Sequence, residues 1–144
     1  MSRARTGRTS DCARADAAAR LEDARAFLAV AALVLDQQIP DEEDAINLSG
    51  VSAALAVLAG IAAADAACCG RLGRRFRGPS HRGAVDLVRT VVPGGPEMAK
   101  DLGRLLDLKD SAHYGVLGVS DTDARTAVER ARRMVSHAKT VLAG

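Results

Sequence analysis

Apolar residues recur at the three- and four-residue spacing of an α-helix through the last part of the chain. This stripe consists of Ala124, Ala127, Val128, Ala131, Met134, Val135, Ala138, Val141 and Leu142. Such a period predicts an amphipathic helix whose apolar face packs against the rest of the protein. The remaining sequence is rich in alanine, the strongest helix former, and aromatic residues make up only 2% of it. We therefore predict an all-α fold.

The chain has 144 residues, a length that supports one domain with its own core. We predict a single domain over residues 11–144, a compact up-and-down bundle of about five helices, one of them a short crossing helix. Glycine, proline and capping residues place these helices at about 11–35, 49–73, 81–92, 96–114 and from 120 onward, with Ser49 and Ser120 as N-caps. Residues 1–10 are expected to form a disordered basic arm, and the acidic run 41–44 to lie in a loop.

The three cysteines, Cys12, Cys68 and Cys69, lack the spacing of a metal site. Adjacent residues on a helix point about 100° apart, so Cys68 and Cys69 are not expected to pair. We interpret all three as reduced thiols of a cytoplasmic protein. The apolar run 51–64 ends at Asp65, which is too short for a membrane span. No metal-binding or phosphate-loop signature is present, and we expect no metal and no cofactor.

Three ionisable residues fall on apolar faces of predicted helices. Lys109 and His113 lie in phase with the leucines of the fourth helix, and Asp65 lies within the apolar stripe of the second. A buried charge must be paired or neutralised, which favours an internal Asp65–Lys109 ion pair with His113 beside it. The alternative is a polar site in a cleft or at a dimer seam. A third possibility is that the fourth helix ends before Lys109.

A dense group of cationic residues spans the end of the second predicted helix. It consists of Arg71, Arg74, Arg75, Arg77, His81 and Arg82. Cations near a helix C-terminus stabilise the helix dipole, which is one explanation for the group. A phosphate-binding patch for nucleic acid is the other. Because no aromatic residue except Phe76 lies among them, binding by base stacking is not expected.

The order of these segments resembles the HEPN superfamily, in particular short bacterial HEPN-like proteins. The resemblance covers residues 21–142 and rests on the sequence segments LAVLAGIAAADAACCGRLG, RGPSH, LLDLKDSAHYG and ARTAVERARRMV. It implies a helical homodimer, and in active members a metal-independent ribonuclease site at the dimer cleft with an arginine, a polar residue and a histidine. Many members are toxins that pair with an antitoxin protein.

At the position of that motif this sequence has Lys109, Asp110, His113 and Tyr114. Lysine replaces arginine and lacks its planar fork for two phosphate oxygens, and the histidine comes one position early. The resemblance thus implies a non-catalytic or weakly active module that binds RNA or a protein partner, such as a cognate antitoxin, in a defence setting. The alternatives are a metal-independent endoribonuclease that uses these four residues, with Arg75 or Arg77 holding phosphate, and a structural assembly subunit.

Overall fold

The computed structural model describes residues 8–37, 47–114 and 118–144, with the side chains of 112–114 excepted. The acidic run 41–44 and residues 1–7 lie outside the described residues. Five helices and two short strands make up this part of the chain. They are β1 (Thr9–Asp11), α1 (Arg14–Leu35), α2 (Leu48–Leu72), β2 (Arg74–Phe76), α3 (Arg82–Arg89), α4 (Gly95–Tyr114) and α5 (Asp121–Ala143). The prediction of an all-α compact bundle of about five helices is confirmed.

Helix α2 is the central helix of the bundle and packs against α1, α4 and α5. Its middle turn, residues 59–64, is buried on every side, because alanine lets neighbouring helices approach closely. At Gly60 a Cβ atom would lie 2.6 Å from Cδ1 of Leu105 and 3.2 Å from Sδ of Met134, so the close approach depends on glycine. The buried hydroxyl of Ser52 donates to the carbonyl of Ala31 at 2.8 Å and ties α2 to α1.

The helix ends follow local capping chemistry. The N–H of Asp123 donates to Oγ of Ser120 at 3.0 Å, as predicted for the start of α5. The prediction of Ser49 as the N-cap of α2 is wrong, because Oδ1 of Asn47 accepts from the N–H of Gly50 at 2.8 Å instead. Gly73 ends α2 with φ +73°, a left-handed conformation that favours glycine.

Part of the N-terminal segment forms a short strand. Residues Thr9–Asp11 pair antiparallel with Arg74–Phe76, so the prediction of disorder over 1–10 is wrong for residues 9 and 10. The N–H of Cys12 extends this ribbon by donating to the carbonyl of Gly73 at 2.9 Å. Three-residue strands carry too little alternation of apolar and polar residues to be predicted from sequence.

A disulfide joins Cys12 to Cys69, with the two Cα atoms 5.5 Å apart. The prediction that all three cysteines are reduced is therefore wrong for this pair. The β1–β2 ribbon carries Cys12 to the last turn of α2, a proximity that spacing alone does not reveal. Cys68 is free and buried, and burial raises the pKa of its thiol to about 12.

Among the described residues one helix, α2, is long and apolar enough to cross a membrane by length and composition, but most of its apolar stretch is buried inside the bundle. Such burial is compatible with a soluble protein. The cytoplasmic location stays a prediction, and the disulfide counts against it because disulfides are rare in the cytosol.

Candidate functional site

Four of the predicted site residues meet where the start of α3 packs against the C-terminal half of α4. They are His81, Arg82, Lys109 and Asp110, and together with Pro79, Ser80 and Leu106 they line a cavity of about 230 Å³. The guanidinium of Arg82 donates to Oδ2 of Asp110 at 2.8 Å and lies 2.9 Å from Oδ1 of Asp107. These carboxylates raise the pKa of Arg82 further above its usual value, so its positive charge is already balanced.

A larger cavity of about 560 Å³ adjoins this one and shares His81 and Lys109 with it. We call it the α2–α4 groove. Its walls are mainly aliphatic and come from α2, α4 and the residues before α5, including Val51, Leu58, Ile61, Leu108 and Val119. Val51 and Leu58 lie two turns apart on α2 and are 51% and 44% exposed. The groove therefore combines an open apolar wall with the polar side chains of His81 and Lys109.

The prediction of an Asp65–Lys109 ion pair is wrong. Asp65 is largely buried, with its side chain 13% exposed, in agreement with its helical phase, but Nε and Nη2 of Arg20 lie 3.2 and 3.1 Å from its Oδ2. Arg75 provides a second cation, with Nη1 at 3.8 Å. Lys109 is exposed instead of facing the core. The helical phase identifies the buried face of α2 but does not reveal which neighbouring helix brings a cation to it.

Burial raises the pKa of Asp65 above its usual 3.8, and the charges of Arg20, Arg75 and His81 offset part of this effect. Sequence reasoning missed Arg20, although a signal for it exists. The buried face of α1 includes Ala17, Ala24 and Leu28, and Arg20 lies one turn before Ala24 on the same side of the helix. A charged side chain in such a position needs a partner.

The group of cationic residues at the end of α2 does not form one uncompensated patch. Arg75 is bound to Asp65 and Arg82 to the two aspartates of α4. Arg71 reaches the carbonyl of Val141 near the end of α5 at 3.5 Å. Arg74 and Arg77 are exposed, and neither makes an ion pair within the described parts of the chain. Helix-end and structural contacts thus account for half of the group.

A second buried carboxylate was not singled out by the sequence. Asp101 of α4 is 5% exposed and accepts from Arg133 at 2.9 and 3.2 Å and from Arg130 at 3.4 Å. These contacts join α4 to α5, so we assign Asp101 a structural role. No group of three histidine, cysteine or carboxylate side chains that could hold a metal ion occurs among the residues that the structure describes.

The side chains of His113 and Tyr114 lie outside the described residues, so their predicted catalytic roles stay predictions. Both residues belong to the last turn of α4, beyond Lys109, which lines the groove. Comparison with protein-family models, with curated proteins and with solved structures finds no match.

Proposed function

We propose that the protein is a HEPN-like binding module that accepts a helical segment of a protein partner in the α2–α4 groove. The segment presents aliphatic side chains to the groove wall and a carboxylate to His81 and Lys109. The family assignment follows the sequence resemblance, with which the all-α bundle is compatible. The observation that carries the proposal is a groove of about 560 Å³ with an open apolar wall, which Lys109 and His81 also line.

The aliphatic wall supports a helical occupant. Val51 and Leu58 are seven residues apart and therefore lie on the same side of α2, where they can contact residues one to two turns apart on a partner helix. Exposed apolar surface of this kind marks interaction sites on soluble proteins. The volume also lies within the ~300–1,000 Å³ of typical ligand sites.

The charges support an acidic group on that partner. Neither His81 nor Lys109 makes an ion pair within the described part of the chain, whereas the neighbouring Arg82 and Asp110 neutralise each other. A carboxylate on the partner would pair with Lys109, accept a hydrogen bond from His81 and fix the direction in which the segment lies.

A protein fits these features better than RNA. Of the two arginines expected to hold phosphate, Arg75 is bound to Asp65, and Arg77 is exposed but does not line the groove. No aromatic side chain is among the described residues that line the groove. Single-stranded nucleic acid is usually held by a basic channel with aromatic stacking platforms, neither of which this wall provides.

Binding of two fluorescent probes tests the proposal. One probe is an amphipathic helical peptide with leucines on one face and glutamates at one end, and the other is single-stranded RNA. We expect peptide binding that Leu58→Glu abolishes and that Lys109→Glu weakens by roughly tenfold at low salt. Val92→Glu is the matched control, because Val92 is 71% exposed and lies between α3 and α4, outside the groove lining.

Two outcomes contradict the proposal. One is peptide binding to which Leu58→Glu makes no difference. The other is RNA binding that exceeds peptide binding and falls steeply with salt, because that dependence reports contacts to phosphates.

A metal-independent ribonuclease is the second candidate. The observation in its favour is that a histidine and a lysine, His81 and Lys109, line the same two cavities. A histidine can move protons to or from the ribose hydroxyl while a cation stabilises charge on phosphorus. The site thus offers a histidine in addition to His113, which the family motif implies.

A further inference from the structure

The β1–β2 ribbon has little besides the Cys12–Cys69 disulfide to hold it closed. Strand β1 makes its main contact with β2, and none of its three residues belongs to the hydrophobic core. Two of the three, Thr9 and Asp11, are exposed. A two-stranded ribbon without a packed face is marginally stable in water. The covalent bond therefore supplies most of the stability of this ribbon.

The outer end of the ribbon brings two like charges together. Next to the disulfide, the register places Asp11 opposite Arg74, an oppositely charged pair. The same register continues beyond Thr9 and places Arg8 opposite Arg77, and the N–H of Arg77 donates to the carbonyl of Arg8 at 2.6 Å. Both of these arginines are exposed, and like charges directly opposite each other destabilise a strand pair. We therefore expect the ribbon to open from this end when the disulfide is reduced.

A reductant can reach the bond through Cys12. This residue is half-buried at the junction between the ribbon and α1, whereas Cys69 is 3% exposed. Cys68 does not compete for either sulfur, because its buried thiol stays protonated at neutral pH. In cytosolic proteins, where disulfides are rare, those that occur are usually transient and redox-sensing. An accessible bond that closes a weak ribbon is suited to that role.

We propose that the Cys12–Cys69 disulfide is a redox switch that closes the ribbon when oxidised and releases residues 8–12 when reduced. The reductant is a dithiol. Its thiolate attacks Sγ of Cys12, the Cys12–Cys69 bond breaks, and Sγ of Cys69 leaves as a thiolate that takes up a proton. The second thiolate of the reductant then displaces Sγ of Cys12, which is protonated in turn. The chain gains two thiols, and the dithiol is oxidised to a disulfide.

Reduction leaves the bundle itself intact, because β2 has anchors of its own. Arg75 remains paired with Asp65. The ring of Phe76 lies against Gly78 and Gly83 and leaves no room for a Cβ atom at either position. The change is therefore confined to β1 and to the edge of β2 that it covers. Neither cysteine lines the α2–α4 groove, so the switch does not depend on the proposed function.

Amide hydrogen exchange of the full chain, measured by mass spectrometry, tests this switch. Dithiothreitol without denaturant should reduce the disulfide, and exchange at residues 9–12 and 75–77 should then rise by about tenfold or more. Exchange across α5 and the circular dichroism spectrum should stay the same, and oxidised glutathione should restore the protection. Cys12→Ser should exchange like the reduced protein with or without reductant. Cys68→Ala, the control, should switch like the wild type.

Arg77→Glu tests the contribution of the two opposed arginines. This variant places opposite charges across the outer end of the ribbon, so its reduced form should exchange at residues 9–12 roughly twofold to fivefold more slowly than the reduced wild type. Equal exchange in the two reduced proteins would show that the Arg8–Arg77 pair does not drive the opening.

Three outcomes would overturn the switch. One is a disulfide that dithiothreitol reduces only after the bundle has unfolded, since the bond would then be a permanent cross-link. Another is a reduced protein that keeps the protection of residues 9–12. The third is loss of protection across α5 on reduction, which would mean that the disulfide holds the whole bundle together and not the ribbon alone.

Discussion

At the residue scale, Asp65 is the position where burial and charge conflict most directly. Its side chain is 13% exposed, whereas those of Arg20 and Arg75 are 25% and 27% exposed. The arginines therefore keep about twice the exposed fraction of the carboxylate. Loss of an arginine should cost more than loss of the carboxylate, since a stranded arginine can turn to solvent and a stranded Asp65 cannot.

We expect Arg20→Met to lower the free energy of unfolding by about 1–3 kcal/mol near pH 7, below the ~3–5 kcal/mol of a fully buried pair. Methionine keeps the apolar stem but removes the nearest cation, so the pKa of Asp65 rises further above its unfolded value. A raised folded pKa favours the protonated form. The stability that protonation supplies is complete below the unfolded pKa and is lost as pH rises through the folded pKa.

Urea unfolding at several values between about pH 4 and pH 7 measures this effect. The deficit of Arg20→Met relative to the wild type should grow as pH rises. Arg89→Met is the control, because Arg89 is exposed and, within the described residues, forms an ion pair only with the exposed Asp86, at 2.9 Å. It should stay within about 0.5 kcal/mol of the wild type. A deficit for Arg20→Met that is the same at every pH would mean that Arg20 acts through packing and not through the charge of Asp65.

At the scale of elements, helices could be predicted from the sequence and their contacts could not. The apolar period of α5 predicted all of its buried positions from Ala124 to Val141, because the spacing of apolar residues in an amphipathic helix identifies its buried face. The β1–β2 ribbon and the partner of Asp65 depend on how separate elements meet. The apolar period of a single helix does not show which other element it contacts. The prediction that Asp65 faces the core was therefore right, whereas the prediction that it pairs with Lys109 was wrong.

The disulfide fixes the short ribbon to α2. A three-residue antiparallel pair contributes little stability by itself, but the Cys12–Cys69 bond closes a loop with a sequence separation of 57. The adjacent Cys68 is not expected to exchange with this disulfide. Its pKa of about 12 keeps the thiol protonated at neutral pH, and thiol–disulfide exchange requires the thiolate.

We expect Cys12→Ser to lower the free energy of unfolding by about 2–4 kcal/mol, because the unfolded chain is then no longer constrained by the cross-link. Cys68→Ala leaves the bond in place and is the control, with a smaller loss. Thiol titration of the wild type in denaturant without reductant should find one free thiol per chain. A count of three would show that the bond is absent from the isolated protein and would favour the predicted reduced state.

At the scale of the whole molecule, the groove arises from elements that are distant in sequence. Val51 and Leu58 come from α2, His81 from the segment before α3, and Lys109 from α4. The sequence singled out His81 and Lys109 for separate reasons, one as part of a basic group and the other as a charge on an apolar face. Packing of three helices places them at one cavity, which no local pattern could predict.

The packing of these elements also determines whether the groove can support RNA cleavage. A cleavage assay with RNA in excess EDTA tests this. We expect no cleavage by the wild type beyond that of His113→Ala and His81→Ala. The reason is that Lys109 lacks the planar guanidinium group with which arginine binds two phosphate oxygens. The nearby guanidinium of Arg82 is already bound to Asp107 and Asp110. His137→Ala, at the remaining histidine of the chain on α5, serves as the control.

Cleavage that leaves cyclic-phosphate ends and that is lost in His113→Ala or His81→Ala but kept in His137→Ala would establish a ribonuclease. The groove would then have to be reconsidered as the substrate site.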